Sequence, residues 1–193
     1  VTRHNDYPYI GEAAVINRPV NPDIYAFGII DNGSGGTQGN ADSTANPSET
    51  IEIRVALKNF GTSQSATGIT ATISSSDTTV NITSANATYP NIGVGQVALP
   101  SSGRFLVELG SRYNQDYRIP FTIILNTSQG TFASALDVVV SSGEAEVTNV
   151  EVTGNNFGPS DRDELTLTVR NNGEWGLTNV TGTITVGDTM VII

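Results

Sequence analysis

Along much of this chain, apolar and polar residues change places at every step. Ile51, Ile53, Val55 and Leu57 alternate with Glu52, Arg54 and Ala56, and Leu165, Leu167 and Val169 alternate with Thr166, Thr168 and Arg170. A period of two, bounded by Gly, Asn, Ser and Pro, marks strands that bury one face and wet the other. The pattern predicts strands near 24–31, 50–59, 66–74, 78–83, 103–109, 117–125 and 131–140. No window carries the three-and-four spacing of an amphipathic helix.

The two alternating runs belong to an internal repeat. Pro47-Ser48-Glu49 leads into the first and Asn59-Phe60-Gly61 closes it; Pro159-Ser160-Asp161 and Asn171-Asn172-Gly173 do the same for the second. The match continues from Thr67–Ile73 to Thr178–Ile184, and then from Asp77-Thr78 and Val80 to Asp188-Thr189 and Val191. Its offset is 112 residues before the short loop and 111 after it. So long a period excludes a solenoid and fits tandem sandwiches. The expectation is an all-β chain of tandem immunoglobulin-like antiparallel β-sandwich domains, the second incomplete, with an extended N-terminal arm. The units run over 1–23 (arm or linker), 24–143 (whole sandwich) and 144–193 (partial sandwich).

Half a sandwich exposes an unpaired edge and an apolar face, so its missing strands are expected from continuing sequence or from a neighbouring molecule. The arm, broken by Pro8, Pro19 and Pro22, reads as a linker or as a donated strand around Gly11, Val15 and Ile16. Donated strands bring main-chain hydrogen bonds and alternate side chains for pockets, and head-to-tail contacts that do not close give filaments. The segments expected in assembly are Gly11–Ile16 and Met190–Ile193, with Trp175 at a sandwich end or a subunit contact. The chain starts on Val1 with no signal segment and reads as a mature or excised piece.

Composition narrows the chemistry. Nine basic and 19 acidic residues give a net charge of −10, which is no footprint for nucleic acid. Only 15% of residues are charged, whereas Thr, Ser and Asn number 24, 17 and 18. Lys58 is the only lysine. There is no cysteine, hence no disulfide or thiolate chemistry, and the one histidine is His4, in the arm. No apolar run is long enough to span a membrane. A serine nucleophile lacks an evident activating base, and no strand ends in a clear carboxylate pair. The chain reads as a non-catalytic, secreted, extracellular or cell-surface protein.

Two sets of residues stand out. Between the first two predicted strands, Asp31, Asn40, Asp42 and Glu49 supply the oxygen donors that calcium favours in Gly-rich loops, although their spacing is not that of an EF-hand. The other reading is an ordinary Gly/Asn-rich surface loop. Asn32, Asn81, Asn86, Asn126 and Asn179 head Asn-x-Ser/Thr sequons, glycosylation acceptors in an exported protein or chance in a chain this rich in those residues.

The run Asp31-Asn32-Gly33, Gly39–Asp42, Asn46–Ile51, Leu57–Gly61, Ala66–Ile73 and Tyr89–Gly95 resembles the immunoglobulin-like CARDB-type repeats of prokaryotic secreted and cell-surface proteins. The resemblance covers about 24–140 and, truncated, 146–193; Asp42-Ser43 and Pro47-Ser48-Glu49 depart from the usual Asp-Gly and Pro-Gly-Glu. It implies a spacer, adhesive module or assembly unit, sometimes appended to an exported protease, without activity of its own. The expected function is therefore self-association of identical subunits into a surface filament, sheath or layer. An adhesin or spacer stalk, or an accessory domain of a secreted hydrolase, are the alternatives.

Overall fold

All seven strands predicted from alternation form, within a few residues of the expected positions. In the computed structural model, which describes residues 17–153, 164–173, 176–177 and 180–185, they are seven of twelve. In chain order these are β1 (Pro22–Ile30), β2 (Thr50–Asn59), β3 (Thr70–Ser74), β4 (Val80–Ser84), β5 (Asn86–Thr88) and β6 (Val97–Ala98). There follow β7 (Ser102–Gly103), β8 (Phe105–Leu109), β9 (Tyr117–Thr127), β10 (Gly130–Val140), β11 (Ala145–Thr153) and β12 (Glu164–Asn171). No helix occurs among the described residues.

Two corrections concern strand ends. The strand expected from residue 66 begins only at Thr70, because Gly68 takes a left-handed turn (φ +62°) and Ala66 makes a single bridge to Ile92. The strand expected over 103–109 is broken at Arg104 into β7 and β8.

Two antiparallel sheets form a sandwich. One has the order β1-β2-β8-β4, with β6 also paired to β2; the other is β10-β9-β3-β5-β7. Alternation sends Ile51, Ile53, Val55 and Leu57 of β2 inward, as it does Ile119, Phe121, Ile123 and Leu125 of β9, and all eight are buried in one core. Burying such side chains contributes about 1.5–3 kcal/mol each, an upper bound set by the unfolded reference. At the edge, the Ser134 hydroxyl of β10 donates to Asp23 of β1 at 2.6 Å. Residues 17–23, read from sequence as arm, lie against this sandwich from Asn17 onward. Val20 is buried in the core, and the carbonyls of Arg18 and Pro19 accept N–H bonds from Thr62, Ser63 and Gln64.

β11 and β12 form a separate antiparallel hairpin that rebuilds the β1–β2 hairpin feature by feature. In the first, Pro22 faces Asn59, Ile24 faces Leu57, and the register slips at Tyr25. In the second, Ala145 faces Asn171, Val147 faces Val169, and the register slips at Thr148. Both bulges sit at the fourth residue of the leading strand. Asn59 Oδ1 accepts the N–H groups of Asn21 (3.1 Å) and Gly61 (2.9 Å). Asn171 Oδ1 accepts those of Glu144 (3.1 Å) and Gly173 (3.0 Å). The Phe60 and Asn172 N–H groups donate to the carbonyls of Asn21 and Glu144. Gly61 and Gly173 are both required, since a Cβ would strike the backbone at Pro19–Val20 in one case and Ser142–Glu144 in the other.

Candidate functional site

Asp31 leaves β1 and Glu49 enters β2, so the sandwich brings the two ends of the 31–49 loop side by side. Both carboxylates are buried. Asp31 accepts the backbone N–H groups of Asp42 (3.2 Å) and Ser43 (3.1 Å), one on each oxygen. Glu49 accepts those of Asn40 (3.2 Å) and Asn46 (3.0 Å) in the same way. The Asn40 amide donates to Asp42 at 2.8 Å, and Asp42 also receives the Thr44 N–H at 2.8 Å. Ala41, Ser43 and Ser48 are held at φ 65°, 63° and 68°, a conformation that these hydrogen bonds must offset.

The four residues expected to bind calcium are thus linked in one hydrogen-bonded loop. Their oxygens, however, carry N–H donors, which put positive dipoles where a cation would otherwise sit. No three His, Cys, Asp or Glu side chains come together to hold a metal ion among the described residues. As it stands, the donor set fits a self-tied loop better than a calcium cage.

Burial first, then the charges of Asp31 and Asp42, push the Glu49 carboxyl above its ordinary 4.5, against the pull of the Asn46 and Asn40 N–H groups. Asp77 moves the other way, below 3.8, chiefly through the Thr79 hydroxyl and N–H and also the Tyr117 hydroxyl. It sits in a turn and accepts the Thr79 N–H at 2.8 Å. A proton held more tightly in the folded chain makes the Glu49 contribution to stability full below pH 4.5 and lost as pH rises through the folded value. The Asp77 contribution is present above pH 3.8 and lost as pH falls through its folded value. A carboxyl-carbon NMR titration is expected to give midpoints above 4.5 for Glu49 and below 3.8 for Asp77. Ordinary midpoints for both would contradict the two networks.

The loop also grips the end of β10. Ala45 bridges Val140, and its carbonyl accepts the Ser141 N–H at 2.9 Å. The Asn46 amide donates to the Ser141 carbonyl at 3.1 Å, and the Ser142 N–H donates to Gln115 Oε1 at 3.0 Å. Glu144 is already bonded to Asn171 of the second hairpin, so Gly143 alone separates the two sets of hydrogen bonds. Sequence spacing gave no sign of this staple.

The second hairpin carries a half-built core. Its inward pairs are Val147/Val169, Val150/Leu167 and Val152/Leu165, where the first hairpin has Ile24/Leu57, Phe27/Val55 and Ile29/Ile53. Leu57, Val55 and Ile53 are 0–1% exposed, whereas Val169, Leu167 and Leu165 are 49%, 39% and 41% exposed. Val180 and Ile184, aligned with the buried Ile69 and Ile73, are exposed as well. On the second strand of each hairpin the same construction is therefore covered once and open once among the described residues; on the first strand Phe27, at 40%, is exposed as Val147 and Val150 are, and Val152 is half-buried.

Gly11, Val15, Ile16, Trp175, Asn179, Met190 and Ile193 lie outside the described residues. The sequon residues Asn32, Asn81, Asn86 and Asn126 are exposed, with the Asn81 amide donating to Glu108 at 2.8 Å. No helix among the described residues is long and apolar enough to cross a membrane. No protein-family model matches the chain, and no curated protein matches it.

Proposed function

We propose that this chain belongs to an extracellular, non-catalytic structural protein built from tandem immunoglobulin-like sandwiches, which associates with copies of itself into a surface filament, sheath or layer. The observation that carries this reading is the pair of matching hairpins, the β2 aliphatics of one buried in a core and the corresponding β12 aliphatics of the other exposed. Contiguous exposed apolar surface marks a place meant to be covered. The strand order β1-β2-β8-β4 against β10-β9-β3 agrees with the A-B-E-D and G-F-C sheets of immunoglobulin-type domains. The buried acids Asp31 and Glu49 tie backbone and Glu52 holds Arg54 and Arg104, which suits a scaffold.

Association works by strand donation: an extended segment, Gly11–Ile16 of a neighbouring copy, lies on the β12 edge and helps cover the open pairs. Main-chain hydrogen bonds would hold it, and alternate side chains would fill the face. Sedimentation velocity of the full chain is expected to show assemblies that grow with concentration, and removal of residues 1–16 should leave monomers. Monomers at every concentration before that removal would contradict the reading. One observation favours a spacer stalk instead: the tight Ala45–Ser141 and Gln115–Ser142 junction, which suits stiffly linked units.

A further inference from the structure

The first hairpin differs from the second on its outward face. β2 points Lys58 outward beside Val97 of β6, and the bulge at Tyr25 and the turn at Phe60 bring two rings to the same lysine. The Lys58 ammonium lies 5.3 Å from the Tyr25 ring centre and 5.1 Å from that of Phe60. Tyr25, Phe60 and Val97 are 57%, 48% and 47% exposed. Arg54 and Arg104 both pair with Glu52, and no ion pair engages Lys58 among the described residues. The ammonium thus lies against two aromatic faces, with Asp23 its register partner on β1 but no ion pair closed between them, an arrangement found at contact hot spots.

The repeat shows that the fold does not require this patch. At the positions of Tyr25, Lys58 and Phe60 the second hairpin has Thr148, Arg170 and Asn172, on the same register and the same bulge. Its outward face bears Glu146, Glu151 and Glu164, all exposed; Glu146 faces Arg170 as Asp23 faces Lys58, and also accepts the Asn172 amide. Residues 144–193 carry eight acidic and two basic residues, so the acidity of the chain is concentrated there.

We propose that the outward face of β1, β2 and β6, centred on Tyr25, Lys58, Phe60 and Val97, docks the acidic outward face of β11–β12 from a second copy of the chain. This rests on the self-association proposed above and names one of its contacts. Glu146, Glu151 and Glu164 of one copy face Lys58 of the next, while the aromatic rings and Val97 bury their exposed faces against the hairpin threonines. Patch and partner surface are different parts of the molecule, so the contact is heterologous, and a rotation that does not close on itself extends it into a filament. The charge match sets partner choice and encounter rate, and the rings supply the holding contact.

The test is sedimentation velocity on the full chain. Tyr25→Thr with Phe60→Asn puts in the residues that the second hairpin carries on the same backbone, so the sandwich should melt as before. Association is expected to weaken about tenfold or more. Lys58→Glu should weaken it comparably, and adding Glu146→Lys with Glu151→Lys to that variant should restore it. Rising salt should weaken the wild type. Association unchanged in the Tyr25→Thr/Phe60→Asn variant, or lost in Lys58→Glu and not restored by the reversed pair, overturns this contact but not self-association. A wild type that never associates overturns both. Lys58-dependent binding of an acidic polysaccharide, with self-association unaltered, would assign the patch to a glycan and overturn the proposal.

Discussion

Replacing Asn59 with alanine is expected to lower the unfolding free energy of the sandwich by about 4 kcal/mol, read from urea denaturation. The side chain is fully buried and makes four hydrogen bonds, all to backbone. Its amide donates to the carbonyls of Gln64 (2.8 Å) and Ile92 (3.1 Å), and its oxygen accepts from Asn21 (3.1 Å) and Gly61 (2.9 Å). Alanine strands three of these backbone groups, the Ile92 carbonyl keeping the Ala66 N–H, and a buried group left without a partner costs about 1–3 kcal/mol. The sum falls below the maximum because water reaches the groups nearest the turn. Asn171→Ala removes the bonds from Glu144 and Gly173 at an exposed site and is expected to cost about 1 kcal/mol or less. A loss under about 1 kcal/mol for Asn59→Ala would show that the Asn-x-Gly turn is not what fastens β1 to β2.

The strands that were legible in the sequence are those long enough for alternation to repeat. β2 shows four inward residues in eight positions, and β9 and β10 are longer still. β5, β6 and β7 have three, two and two residues, too few for any period, and their pairing is set by neighbours already in place. Val20 was illegible for a related reason: one apolar residue between Pro19 and Asn21 has no pattern, yet it enters the core because Thr62–Gln64 hold the backbone around it.

The acidic loop was half legible. Asp31 and Glu49 stand at the two ends of the loop between the paired strands β1 and β2, so their proximity follows from the hairpin. Which way the N–H groups of Asn40, Asp42, Ser43 and Asn46 point depends on the backbone at Ala41 and Ser43, and oxygen-rich composition alone cannot tell a cation cage from a self-tied turn. The Lys58 patch was missed because its residues come from β1, β2, β6 and the turn after β2. The repeat held a signal for it, in the mismatch of Phe60 with Asn172 inside an otherwise aligned turn.

The second large effect separates two positions that are equivalent in construction and opposite in surroundings. Leu57→Asp places a carboxylate in the sealed core and forfeits about 1.5–3 kcal/mol of burial besides the cost of charging or protonating the acid there. The sum is about 5 kcal/mol or more, comparable with the whole stability of such a domain, so the sandwich is expected to unfold at room temperature. Val169→Asp changes the corresponding residue of the open hairpin, where water already reaches it. The sandwich should then melt as in the wild type, while the face that awaits cover acquires a charge that no aliphatic strand can bury without penalty.

Sedimentation velocity of the full Val169→Asp chain, beside the wild type over the same concentrations, tests the central claim most directly. Wild-type assemblies are expected to grow with concentration, and the variant to stay monomeric while its sandwich melts unchanged. Equal assembly by the two chains would contradict it, because the open pairs of β11 and β12 would then not be the surface that association covers.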